Sequence, residues 1–147
     1  MKTLTLIDKA FLLKKTLLFN ALDLDLLLTI SDKMGVTECQ AGEILFQIEQ
    51  EAHRMYFIIE GQMEILDRHN QLLASLKEGD FFGDESIFNE KRRDYCARGL
   101  SFCTLLTLSR SHLMTIISEY PGVALVLLQA YAAAMPFRLP KISGGTR

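Results

Sequence analysis

Three stretches with different hydrophobic periods divide the chain. Between residues 5 and 34, Leu17, Leu18, Leu22, Leu26, Leu27 and Ile30 recur at three- and four-residue intervals. That spacing lines one face of a helix, with Asn20 or Asp23 capping a helix that enters at Leu24 and Gly35 stopping it. From Val36 to Leu108 the runs are short, rich in strand formers and punctuated by single glycines. Strands are expected near 36–40, 43–48, 54–60, 62–67, 72–77 and 94–100, with a longer one at 102–109. Within 62–67 the residues alternate: Met63, Ile65 and Asp67 face one way, Gln62, Glu64 and Leu66 the other. Gly42, Gly61 and Gly79 mark turns, and the polar stretch Asp67 to Gln71 around Asn70 reads as a hairpin tip. After Ser109 the period turns helical again. Ser109 or Ser111 caps a helix through Glu119 carrying Leu113, Ile116 and Ile117 on one side. Pro121 breaks it or opens the next helix, which runs to about Met135, where Pro136 ends it.

This pattern predicts a mainly β protein with flanking α. Its centre is an antiparallel jelly-roll-like β-barrel (double-stranded β-helix), which manages its edges by closing on itself. One domain is expected over residues 1–147: N-terminal helices at 1–35, the barrel at 36–109, C-terminal helices at 110–135 and a loose tail at 136–147.

Composition narrows the function classes. With 49% hydrophobic and 23% charged residues over 147 positions, the chain can bury a core without staples. A net charge of −2 lacks the basic face of a nucleic-acid-binding domain. Cys39, Cys96 and Cys103 are odd in number and contain no CxxC pair, which fits reduced thiols rather than a disulfide framework or zinc site. The early apolar run is interrupted by Asp8 and Lys9, a poor signal-peptide core. The late run from Val123 to Met135 is too short to span a bilayer. A cytoplasmic protein without membrane insertion is expected. His53, His69 and His112 are far apart, so no metal site emerges. No nucleophile, base and orienter set stands out either, and a non-enzyme without cofactor is expected.

The candidate chemistry lies between Gly79 and Ala97, where two glycines four apart precede a short acidic-headed turn and then the pair Arg92 and Arg93. Amides at the start of a short helix, with an arginine returning ten residues later, suit one small anion. On residue pattern alone, Arg93 reads as well as a barrel-surface arginine paired with Asp94 or Glu90. Tyr56, Phe57, Phe81, Phe82 and Phe88 read as core.

Gln40 to Phe46 (QAGEILF), Met55 to Gly61 (MYFIIEG) and Gly79 to Asp84 (GDFFGD) with Arg93 follow one another in order. Together they resemble the cyclic-nucleotide-binding domain family, over roughly residues 16 to 134. The resemblance implies a cAMP or cGMP sensor that acts in signal transduction through an effector protein. It implies that Gly83 and Asp84 open a phosphate cradle, that Asp84 meets the ribose 2′-hydroxyl and that Arg93 meets the cyclic phosphate. Amides of Ser86 and Ile87 would contact the phosphate, while Leu127, Leu128 or Tyr131 on the last helix would cap the purine. Asp84 is one methylene shorter than the family's glutamate, which leaves Glu85 as the alternative ribose contact. Asp94 stands where the family carries Ala, Ser or Thr touching the phosphate. Pointing inward, about 5 Å from a phosphate, it would repel by roughly 3 kcal/mol at an effective dielectric near 20. Pointing outward, it would pair with Arg92 or Arg98. The rival expectation is a degenerate member without nucleotide, docking or homodimerising through its apolar closing helix. Pro136 and Pro140 leave too few residues for a helix-turn-helix, so DNA binding is not expected.

Overall fold

A computed structural model describes residues 3–134. In chain order it contains α1 (Leu6–Lys14), α2 (Leu24–Asp32), β1 (Gly35–Cys39), β2 (Ile44–Phe46), β3 (Arg54–Glu60), β4 (Met63–Leu66) and β5 (Leu72–Leu76). These are followed by β6 (Phe81–Phe82), α3 (Asp84–Asn89), β7 (Cys96–Gly99), β8 (Cys103–Ser109), α4 (Arg110–Glu119) and α5 (Gly122–Ala134). The strands form two antiparallel four-stranded sheets, ordered β1-β8-β3-β6 and β2-β7-β4-β5. This is the expected jelly-roll architecture with helices on its flank.

Side-chain alternation along β3 and β8 explains why three layers form. Successive strand residues point to opposite faces. Tyr56 and Ile58 of β3, with Cys103 and Leu105 of β8, point between the sheets and meet Phe46, Met63, Ile65, Phe82 and Ala97. Met55 and Phe57, with Leu106 and Leu108, point the other way and are covered by Ala10, Leu13, Leu27, Ile30, Leu113, Ile116, Val123 and Leu127 of the helices. The first sheet is therefore buried on both faces. Each such side chain contributes about 1.5–3 kcal/mol when removed from water, so the helical layer is bound to the sheet by its own sizeable core.

The helical stretch expected over 5–34 is two short helices instead of one continuous run. Thr16 ends the first: its hydroxyl donates to the Leu13 carbonyl at 2.7 Å and accepts from the Phe19 amide at 3.3 Å. Such local side-chain bonds compete with the helical ladder. Asp23 caps α2 by accepting from the Leu26 amide, whereas Gly35 is not the stop. Lys33 closes α2 and Gly35 opens β1, where a Cβ would stand 2.9 Å from the Thr107 hydroxyl oxygen. The glycine serves close strand approach. Strand β6 escaped the sequence reading because two residues carry no period. Leu66, expected opposite Ile65, is also buried, at a register shift between the two. Ser109 caps α4 through the His112 amide. Helices α4 and α5 meet at a 115° bend, and among the described residues no single helix is long and apolar enough to cross a membrane. Cys39, Cys96 and Cys103 are free thiols, Cys39 and Cys103 buried, and burial pushes all three above the ordinary thiol range. The expected helix end near Met135 and the tail at 136–147 lie outside the described residues.

Candidate functional site

The site is built at Gly83, where β6 hands over to α3. Gly83 has φ +82°, in the left-handed region, and serves as the N-cap of α3. A Cβ there would stand 2.8 Å from Arg93 Nη1, so glycine is required both by backbone conformation and by space. Its peptide is held from two sides. The Gly83 amide donates to the Tyr95 hydroxyl at 2.8 Å, and the Gly83 carbonyl accepts from Arg93 Nη1 at 3.0 Å.

Arg93 is only 4% exposed. Its backbone is pinned to the 47–50 turn: the Arg93 amide donates to the Gln50 carbonyl at 2.9 Å and the Glu49 amide donates to the Arg93 carbonyl at 2.7 Å. The guanidinium reaches β3, where Nη2 donates to the Arg54 carbonyl at 2.6 Å. Its carbon lies 4.1 Å from the Phe46 ring centroid and 5.9 Å from that of Tyr56. Nε is buried with no hydrogen-bond partner among the described residues, and no carboxylate among those residues forms an ion pair with this cation. Burial pulls the guanidinium below its ordinary pKa, although arginine stays charged. The effective penalty for burying an ion is several kcal/mol. A cation–π contact of about 0.5–2 kcal/mol and two charge-assisted bonds of about 1.5–3 kcal/mol each offset much of it. Nε is the nitrogen left without a partner among the described residues.

The two acids after Gly83 are each engaged by a tyrosine. Asp84, 8% exposed, accepts from the Tyr131 hydroxyl at 2.6 Å. Burial, and secondarily the Glu85 charge, push its carboxyl up to about 6. Glu85 Oε1 accepts from the Tyr95 hydroxyl at 2.7 Å. Burial and the neighbouring Glu85 carboxylate raise the Tyr95 phenol well above its usual value, and burial with Asp84 does the same to Tyr131. Both hydroxyls therefore remain neutral donors. The ring of Tyr131 stands edge-on to Phe81 and Phe88, at 6.0 Å and 5.9 Å between centroids, a favoured aromatic geometry.

The remaining expected residues distribute unevenly. Ser86 and Ile87 are both buried in α3. The Ser86 hydroxyl makes a long 3.4 Å bond to the Arg92 carbonyl, and Ile87 joins the helix-side core. Asp94 faces outward, but its partner is Lys91 at 2.8 Å rather than Arg92 or Arg98. Arg92 sits 3.5 Å from Glu51 and Arg98 2.9 Å from Glu64. Of the three lid candidates on α5, Leu127 is buried in the helix-side core and Leu128 is 67% exposed, so only Tyr131 reaches the cradle.

Three contributors were not singled out from sequence. Tyr95 could have been found by extending the alternation that places Arg93 inward and Asp94 outward. The Arg54 carbonyl carries no side-chain signal at all. Arg110 donates to the Ile87 carbonyl at 2.9 Å and pairs with Glu90 at 2.6 Å, tying the end of α3 to the start of α4. A groove of about 350 Å³ reaches Arg93 from outside, lined also by Phe46, Gln50, Glu51, Arg54 and Tyr56. Among the described residues no three metal-ligating side chains converge.

The family described as the cyclic nucleotide-binding domain matches residues 36–120. The chain is 30% identical over 117 residues to the cyclic nucleotide-gated channel cone photoreceptor subunit alpha of Gallus gallus, covering 74% of this chain and 16% of that protein. The chain thus spans less than a fifth of that relative's length. Among solved structures, the N-terminal domain of a transcriptional regulator from Streptomyces coelicolor is 25% identical, with a TM-score of 0.74 over 85% of this chain and 92% of that one. The regulatory domain of Toxoplasma gondii PKA, solved with cAMP, has the same fold at 15% identity, with a TM-score of 0.75 over 88% of this chain and 49% of that one. Family match, sheet topology and the Gly83–Arg93 cradle agree: this chain belongs to the cyclic nucleotide-binding domain family.

Proposed function

We propose that the chain is a cyclic nucleotide sensor, taking cAMP or cGMP at the Gly83–Ile87 cradle and Arg93, and that it reports ligand to a separate effector protein through α5. The observation that carries this reading is the buried Arg93 guanidinium, which has no carboxylate partner among the described residues, bonds the Gly83 carbonyl at the start of α3 through Nη1 and leaves Nε unpartnered. A cyclic phosphate is a monoanion that would supply the missing counter-charge, and the exposed groove beside Phe46 and Tyr56 gives it an approach. Asp94 is no obstacle, because Lys91 holds it outside. Asp84 or Glu85 would take the sugar hydroxyl. A ligand that engages Asp84 competes with the Tyr131 hydroxyl, so α5 responds by as much as the ligand prefers one state over the other.

Calorimetric titration with cAMP and cGMP tests this reading. Binding is expected to weaken on the order of 10- to 100-fold in Arg93→Ala, the loss of a charge-assisted bond. Circular dichroism verifies that the variant is folded. Binding that is unchanged in folded Arg93→Ala would refute the site.

A second reading is favoured by different observations. Tyrosine hydroxyls occupy both acids, and Leu125 and Leu128 of α5 are 58% and 67% exposed. In this reading the chain keeps the family fold without nucleotide and uses α5 as a protein-interaction or dimerisation face.

A further inference from the structure

Tyr95 occupies the cradle in a way that resembles a ligand. Its hydroxyl accepts from the Gly83 amide at 2.8 Å and donates to Glu85 Oε1 at 2.7 Å. Those are the two functions that a sugar hydroxyl would perform beside a bound phosphate: acceptor to an amide, donor to a carboxylate. The ring is positioned for this by Phe46, 5.7 Å away between centroids and tilted by 49°. Phe46 is also the ring over which the Arg93 guanidinium lies. Tyr95, Phe46 and Arg93 therefore form one packed unit around the Gly83 peptide, with Tyr95 on its amide and Arg93 on its carbonyl.

We propose that Tyr95 is an internal gate of this cradle: its hydroxyl holds the Gly83 amide and Glu85 in the ligand-free protein, and a cyclic nucleotide binds only by displacing it. The proposal rests on the sensor reading above and adds a residue that sets its affinity. A ligand must exchange two existing hydrogen bonds instead of meeting free groups, so the gate weakens binding by competing for the groups the nucleotide itself would use. Tyr95→Phe removes the hydroxyl and keeps the ring against Phe46, so the sandwich core is preserved.

The test compares wild type, Tyr95→Phe and Arg93→Ala by calorimetry with cAMP and cGMP, together with amide hydrogen exchange at Gly83 in the absence of nucleotide. The gate predicts a protected Gly83 amide in wild type that exchanges about tenfold faster in Tyr95→Phe. It also predicts nucleotide affinity about tenfold tighter in Tyr95→Phe. Binding seen only in Tyr95→Phe supports it in its strongest form. Rapid Gly83 exchange in wild type overturns the gate, and so does equal affinity of wild type and Tyr95→Phe. If that equal affinity is lost in Arg93→Ala, the gate alone has failed and the sensor reading stands. Absence of binding in wild type and Tyr95→Phe alike overturns both.

Discussion

At Gly83 a single missing methyl group decides whether the cradle can exist. The left-handed backbone and the 2.8 Å approach of Arg93 Nη1 act at the same atom, so an added Cβ is strained and displaces the guanidinium. Gly83→Ala is expected to destabilise the fold by about 1–3 kcal/mol. Urea denaturation measures it, and an unshifted midpoint would contradict the geometry. Gly83 and Arg93 were both legible in the sequence, because their ten-residue spacing belongs to a recognisable pattern. For Tyr95 alternation could give the inward direction but not the role, which depends on Glu85 and the Gly83 amide converging on one oxygen. Asp94 was half legible: alternation allowed it to face outward, but the choice of Lys91 over two arginines depends on how the turn after α3 folds.

At the level of elements, the junction between α3 and α5 includes one hydrogen bond with a titratable acceptor. Asp84 sits near 3.8 in an unfolded chain and is pushed up to about 6 in the fold, chiefly by burial. The folded state thus holds its proton more tightly. This contribution to stability is complete below pH 4 and is lost as pH rises through 6. Asp84→Asn carries no such charge. Relative to wild type it is expected to gain up to about 3 kcal/mol between pH 4 and pH 7. Denaturation curves across that interval provide the measurement, and parallel profiles for the two proteins would count against a buried Asp84. Element types were readable from period alone along most of the chain, and boundaries less so. Thr16 divides the first helical stretch through its own hydroxyl, an effect that no hydrophobic period encodes. β6 depends on pairing with β3 and has no local signature of its own.

On the scale of the whole molecule, the doubly covered sheet leaves α5 with more apolar surface than its packing uses. Val123 and Leu127 are spent on the helix-side core, while Leu125 and Leu128 remain exposed on the same helix. If α5 serves as an interface between copies, size-exclusion chromatography should show a dimer that Leu125→Asp converts to monomer. A wild-type monomer unaltered by the substitution would remove that role. The composition of the late helix was legible in the sequence. Which of its leucines face inward was not, since every position from Val123 to Leu128 is apolar.

Arg93 fastens the 47–50 turn through its backbone, and β3 and the start of α3 through its side chain. The same residue is therefore a clasp of the fold and, in the sensor reading proposed above, its receptor. Selection for folding alone is enough to keep an arginine at this position, so a chain of this fold could lose any messenger and still retain the residue that would have greeted it.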